Sequence, residues 1–275
     1  MILLDTYQKL NTRQLMDFAR ERYGVNSILG KVNSNPKLAK NAKNKTLSVP
    51  VHLSPAKTSG YNVCAKSSKA CEELCLHTAG NPAYMAQKFK SRLARTLLFF
   101  GNRALFLEIL RREIKRHVNR ANKLGLKPAI RLNGTSDIQF ETVRYSVNGQ
   151  EFTLFTEFSD VQFYDYTKIP NRKRVPSNLH LTFSLAEDNQ DEAIEAFESG
   201  LNVAVVFNVK RGKELPSTFI LRGFKTISGE VFDGDTTDYR PDDPKKSFIG
   251  LRAKGKAIGD KSGFVYDAYQ TNLMR

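Results

Sequence analysis

Five short apolar runs in the second half of the chain each end in polar residues of the kind that do chemistry. Ala129 to Leu132 leads into Asn133-Gly-Thr-Ser-Asp137, Val161 to Tyr164 into Asp165-Tyr-Thr-Lys168, and Leu179 to Phe183 into Ser184-Leu-Ala-Glu187. Glu230-Val-Phe232 leads into Asp233-Gly-Asp235, and Phe248 to Leu251 into Arg252-Ala-Lys254. Runs of this length bounded by turn residues read as buried strands. In parallel α/β folds the loops after the strand C-termini share one face, so the five groups are expected to converge on one pocket.

The first half alternates differently. Leu15, Phe18 and Ala19 repeat at helical spacing behind Asn11, which predicts a capped amphipathic helix over 12–22. Leu47 to Leu53 reads as a first strand, with Pro50 marking it as an edge or irregular one. Asn81-Pro82 opens a helix over about 82–99, and a second runs over 102–124, divided from it by Gly101 and closed by Gly125. Leu93, Leu97, Leu105, Ile109 and Leu110 are their expected buried positions. A βαβ unit follows: strand 179–184, helix 190–199 ending at Gly200, and strand 202–207. The expected fold is α/β, a (β/α) barrel of the TIM type with irregular strands and a basic N-terminal arm. An open doubly wound sheet is the alternative, weakened by the lack of a Gly-rich phosphate loop. The division expected is a helix and arm over 1–46 and one barrel-like domain over 47–275, containing the cysteine loop 60–80 and the basic helices 82–124.

Charge sharpens this picture. The formal net charge is +15, and residues 31–127 alone hold 20 Lys and Arg against 4 Asp and Glu. One-sided basic charge of this kind is the footprint of a phosphate-backbone partner, DNA or RNA. Lys88, Arg92, Arg95, Arg111, Arg112, Lys115 and Arg116 are the candidate contacts, because the Glu partners that usually interleave on a solvated helix are mostly missing. No run approaches a membrane span, and Met1 to Asp5 is too short for a signal peptide, so a cytoplasmic protein is expected.

The three cysteines, Cys64-x6-Cys71-x3-Cys75, lie in twelve positions with His77 just beyond. Thiolates and imidazole at this density suit a zinc site, and three thiolates suit an iron–sulfur cluster with one open iron; three reduced thiols without metal are the plainer alternative. Asp137 is placed either as a general acid or base or as a helix N-cap. Asp233, Asp235 and Asp238 crowd three carboxylates into six residues, which asks for a cation or a reaction. Tyr164 and Tyr166 offer rings to stack on a base, flanked by Asp165 and Lys168. Asn133, Glu187 and Lys254 complete the expected substrate contacts.

The segments Asn62-Val-Cys64, Arg131 to Ile138, Phe163 to Lys168, His180 to Ser184, Asn202 to Phe207, Asp233 to Asp235 and Ser262 to Val265 resemble a family of small bacteriophage proteins. Through Phe232-Asp233, that family is distantly similar to tRNA-guanine and phage DNA 7-deazaguanine transglycosylases. The resemblance implies exchange of a purine base in DNA within an infected host, with Asp233 as nucleophile and Asp137 handling the proton. The cysteine loop after the first strand also resembles that of radical S-adenosylmethionine enzymes, which implies an iron–sulfur cluster instead. A DNA-binding accessory protein stapled by its metal is the non-enzymatic alternative.

Overall fold

The computed structural model describes residues 1–31, 41, 44–76 and 85–268. In chain order these form β1 (Ile2–Leu3), α1 (Asp5–Gln8), α2 (Thr12–Tyr23), β2 (Thr46–Pro50), α3 (Lys69–Glu73), α4 (Met85–Gly101), α5 (Arg103–Lys123) and β3 (Lys127–Arg131). Next come β4 (Tyr145–Val147), β5 (Gln150–Phe152), α6 (Leu154–Glu157), β6 (Gln162–Thr167), β7 (Leu179–Ser184), α7 (Gln190–Glu198) and β8 (Asn202–Phe207). The last are β9 (Thr218–Arg222), β10 (Thr226–Asp233), β11 (Phe248–Arg252) and β12 (Val265–Tyr266). Most of the expected arm and the Asn81-Pro82 helix start lie outside the described residues.

Two compact units result, one of Met1–Cys64, Asn81–Asp165 and Arg174–His180, the other of Ala65–Gly80, Tyr166–Lys173 and Leu181–Arg275. In the first, β3 pairs in parallel with β2, from Thr46 opposite Lys127 to Pro50 opposite Arg131, and with β6 at Ala129 and Ile130. α2 forms as its pattern demands: Asn11 accepts from the Gln14 N–H at 3.0 Å while Gln14 returns a bond to the Asn11 N–H, and Gly24 ends the helix at φ 72°. α5 buries Leu105, Phe106, Ile109, Leu110 and Ile114, and the Phe99 ring meets those of Phe106 and Phe140 edge-on at 5.1 and 5.7 Å.

In the second unit β7, β8, β11 and β10 run parallel in that order, and β9 pairs with β10 antiparallel. The predicted βαβ unit is present as β7, α7 and β8. α7 lays Ala193, Ile194 and Phe197 on Val203, Val205, Phe219 and Phe248. A mixed α/β fold is therefore what forms, but no closed TIM-type barrel does among the described residues. The free edge of β10 is taken by the antiparallel β9, and closure of a parallel barrel needs that edge. Among the described residues no helix is long and apolar enough to cross a membrane.

The basic helices correct the sequence reading twice. Leu93 and Leu97 are 39% and 38% exposed, whereas Arg92 is 8% exposed, so α4 turns a basic face inward. On α5, Arg111 is buried and bound by Glu108 and by both oxygens of Glu157, all at 2.5 Å, and Arg112 pairs with Glu108 at 2.7 Å. Acidic partners are thus supplied, one of them from α6, and Arg111 is a structural ion rather than a phosphate contact. Lys115 and Arg116 stay more than half exposed, paired to Glu157 at 3.4 Å and to Glu113 at 3.9 Å.

Candidate functional site

In the first unit the segments after β2 and β3 are laced together. The Val51 N–H donates to Arg131 O at 2.8 Å, Gly134 N–H to Val51 O at 2.9 Å, Thr135 Oγ1 to Leu53 O at 2.6 Å and Asp137 N–H to Val63 O at 2.8 Å. Asn133 is the hub of its loop. Its N–H and its Nδ2 donate to the two oxygens of Asp165 at 2.7 and 3.1 Å, and its Oδ1 accepts from Ser136 and from the Ile138 N–H. Asp165 is 2% exposed and Tyr164 is fully buried, so that tyrosine is core and does not stack on a base. No helix starts at Asp137, because Asn133 already caps the loop and the chain continues only to a 3-10 turn over Phe140–Thr142. The cap expected of Asp137 is therefore absent.

His52 follows β2 in this same lacing, and the sequence reading passes over it. Burial first, and then Arg92, Arg131, Arg95 and Lys88, push its imidazole down to about 3. The available signal was the spacing of Lys88, Arg92 and Arg95 at i, i+4 and i+7, which puts all three on one helix face.

Cys64, Cys71 and Cys75 are half-buried and form no disulfide. Cys64 Sγ accepts from the Ala56 N–H at 3.4 Å, and Cys71 lies in the first turn of α3, whose N-cap Ser68 accepts from the Cys71 N–H at 3.1 Å. Glu187 holds that cap, accepting from Ser68 Oγ at 2.7 Å and from the Ala70 N–H at 2.9 Å. Glu187 thereby positions the cap of α3. His77 lies outside the described residues. Among the described residues no three His, Cys, Asp or Glu side chains gather on one point as a single zinc ion requires. An iron–sulfur cluster offers each thiolate its own iron, so its ligands stand further apart, and three soft sulfur donors suit it.

In the second unit the loops after β10 and β11 do meet. Asp233 accepts from Arg252 Nη1 at 2.8 Å and from the Asp235 N–H at 2.9 Å. Asp235 accepts from the Arg252 N–H at 3.0 Å and from Lys254 Nζ at 2.6 Å. Asp233 and Asp235 thus find their cations at the end of β11 and just beyond it. Although burial opposes it, the hydrogen bond from Arg252 leads the forces that hold the Asp233 carboxyl below its usual range. Arg252, grouped with Lys254 in the sequence but given no role of its own, is the residue that holds both carboxylates, and Lys254 serves Asp235. Lys168 Nζ donates to Ser184 Oγ at 2.6 Å and sits 5.5 Å from the centre of the Phe264 ring, while Tyr166 is half-buried.

A family model, gene product 88, matches residues 27–268. No curated protein and no solved structure matches the chain. Nothing in these comparisons links it to the transglycosylases.

Proposed function

The chain belongs to the gene product 88 family, a phage-type family whose name carries no chemistry, and from the residues themselves we propose an iron–sulfur enzyme of the radical S-adenosylmethionine kind. One observation carries this reading: every cysteine of the chain lies, outside any disulfide, in a 12-residue segment of the loop that follows the parallel strand β2. Loops at that end of parallel strands are where α/β enzymes place their chemistry. Because the thiolates share one short segment, its own length lets them reach one cluster. Three thiolates leave one iron open to a substrate. A cluster held there would supply the electron that reductive cleavage of a sulfonium requires. The likeness in loop position is analogy, and the chemistry of the donor set is what gives it weight.

The macromolecular substrate of this reading is nucleic acid, on the basic excess of residues 31–127. Purine-base exchange by Asp233 is the second reading, favoured by one observation, that Asp233 is kept ionised at the end of β10. The Arg252 clamp counts against it, since an ion-paired oxygen is a poorer nucleophile.

Anaerobic reconstitution with iron and sulfide tests the proposal. A brown protein with about four irons per chain, forming methionine and 5′-deoxyadenosine from S-adenosylmethionine under a strong reductant, is the expected result. A colourless protein that retains no iron, or that instead exchanges guanine into DNA, would overturn it.

A further inference from the structure

Tyr61 leaves 42% of its surface in solvent although the turn that carries it is tightly closed. The Gly60 N–H donates to Lys57 O at 3.0 Å, Thr58 Oγ1 to Pro55 O at 2.7 Å, and the Val63 N–H to Ala56 O at 3.0 Å. Val63 and Ala56 are buried, and Gly60 takes φ 86°, a conformation that a side chain there would resist. The turn therefore presents the ring to helix α4 in one place. Tyr61 lies flat on Phe100, the ring centres 4.2 Å apart and the planes within 4°. Phe100 in turn meets the buried Phe99 edge-on at 5.1 Å. Stacking covers one face of the tyrosine and leaves the other face and edge to supply its exposure.

Beside this stack stands Arg103, the first residue of α5. Its guanidinium covers the Phe99 ring at 4.3 Å and lies 5.8 Å from the centre of Phe100. Nε donates to Phe99 O at 3.4 Å, and among the described residues Arg103 forms no ion pair. Burial acts on its ionisation, pushing it below the usual arginine range, with no carboxylate to counter it. A cation at a helix N-terminus also opposes the helix dipole. Both costs fall when an anion arrives. Arg103 further lines an open cleft of about 530 Å³ with Thr142 and Arg144, whose guanidinium pairs with Glu151 at 2.5 Å.

We propose that the Tyr61–Phe100 stack and Arg103 form a docking surface for single-stranded nucleic acid, with a base on the open face of Tyr61 and a neighbouring phosphate on Arg103. Every base has a π-face, so a fixed ring holds a strand without reading its sequence, and the guanidinium supplies the backbone contact. Charge decides the occupant: residues 31–127, which contain all three residues, carry 20 Lys and Arg against 4 Asp and Glu. This surface rests on the nucleic-acid part of the reading above and not on its cluster. The Tyr61 turn also carries the first cysteine. Cys64 follows three residues later, within about 10 Å along the backbone. Its Sγ accepts from the N–H of Ala56, the residue whose carbonyl closes the turn. A base stacked on Tyr61 is thereby held beside the cysteine segment.

The test is fluorescence anisotropy of a short labelled single strand with the whole chain, without added iron. Tyr61→Ala should weaken binding about tenfold, which is about 1.4 kcal/mol, and leave the salt dependence as it was, while Tyr61→Phe keeps the wild-type affinity. Arg103→Gln should flatten the salt slope by about 0.7, one phosphate contact. A strand of equal length without bases should bind wild type and Tyr61→Ala alike. Should Arg103→Gln fail to fold, the Tyr61 variants and photocrosslinking of an iodouracil strand to Tyr61 still decide the matter. Equal affinity of wild type and Tyr61→Ala for the ordinary strand, with a steep salt slope retained, would overturn the surface and leave the nucleic-acid reading standing. Absence of any strand binding, or binding of anionic lipid vesicles in its place, would overturn both.

Discussion

Glu187, at the end of the segment after β7, holds Ser68 by a 2.7 Å hydrogen bond. The bond spans 119 residues of sequence and fixes the cap of the short helix that carries Cys71. A five-residue helix has little stability of its own. Its position is therefore borrowed from the strand end that anchors it.

Glu187→Ala should for that reason loosen the cysteine segment more than it destabilises the protein. Removing an acceptor from Ser68 Oγ and the Ala70 N–H costs about 1–3 kcal/mol. After anaerobic reconstitution the variant is expected to hold clearly less iron than wild type, with a melting temperature lower by only a few degrees. Iron content equal to wild type would refute the positioning role.

Cys71→Ser probes the same loop from the ligand side. The hydroxyl preserves size but not a soft thiolate, so the variant should stay folded and lose the visible absorption of the reconstituted cluster. Iron and sulfide analysis beside circular dichroism separates loss of ligand from loss of fold.

Arg111→Met should be among the most damaging substitutions on the basic helices. It leaves Glu108, Glu157 and the Tyr145 hydroxyl, bound to Glu157 at 2.5 Å, without their shared cation. Stranding buried carboxylates costs about 3–5 kcal/mol. Arg116→Gln, more than half exposed, should change stability by less than about 0.5 kcal/mol. Denaturant unfolding of the pair distinguishes a structural arginine from a surface one.

Asp243 gives the chain a stability that falls as pH rises. Burial pushes its carboxyl up to about 6 in the folded state, against the attraction of Arg240 at 3.1 Å. The folded state thus binds the proton more tightly than the unfolded chain, whose carboxyl titrates near 3.9. Stability from this group is fully present below about pH 4, is lost as pH climbs to about 6, and is level above that, a change of up to about 3 kcal/mol. Asp243→Asn, which stays neutral, should flatten the stability profile between those limits, as urea midpoints across pH would reveal.

Asp233 has the opposite sign. With its folded carboxyl held below the usual range by Arg252, it contributes stability above about pH 4 that fades as pH falls through the depressed value. Asp233→Asn should lose that acid limb, and if the base-exchange reading were right it would also abolish guanine exchange while leaving the fold intact.

Much of the architecture is written locally. The Asn11 and Gly24 caps bound α2 within one residue of its expected end, and Gly200 ends the helix of the β7–α7–β8 unit where the pattern places it. Hydrophobic period, caps and turn residues act over a few positions, so one sequence suffices to read them. Clustering of the three cysteines is likewise a property of the chain itself. What only the tertiary structure decided is which charges meet and which face of a helix turns in. Arg111 and Glu157 are 46 residues apart, and Arg252 reaches Asp233 across 19. The rotation of α4 that hides Arg92 and exposes Leu93 contradicts its own apolar period. Openness of the strand series rests on β9 taking the edge of β10. Coulombic pairing and edge pairing depend on distance in space and carry no period along the chain, so they become visible only when the elements are packed.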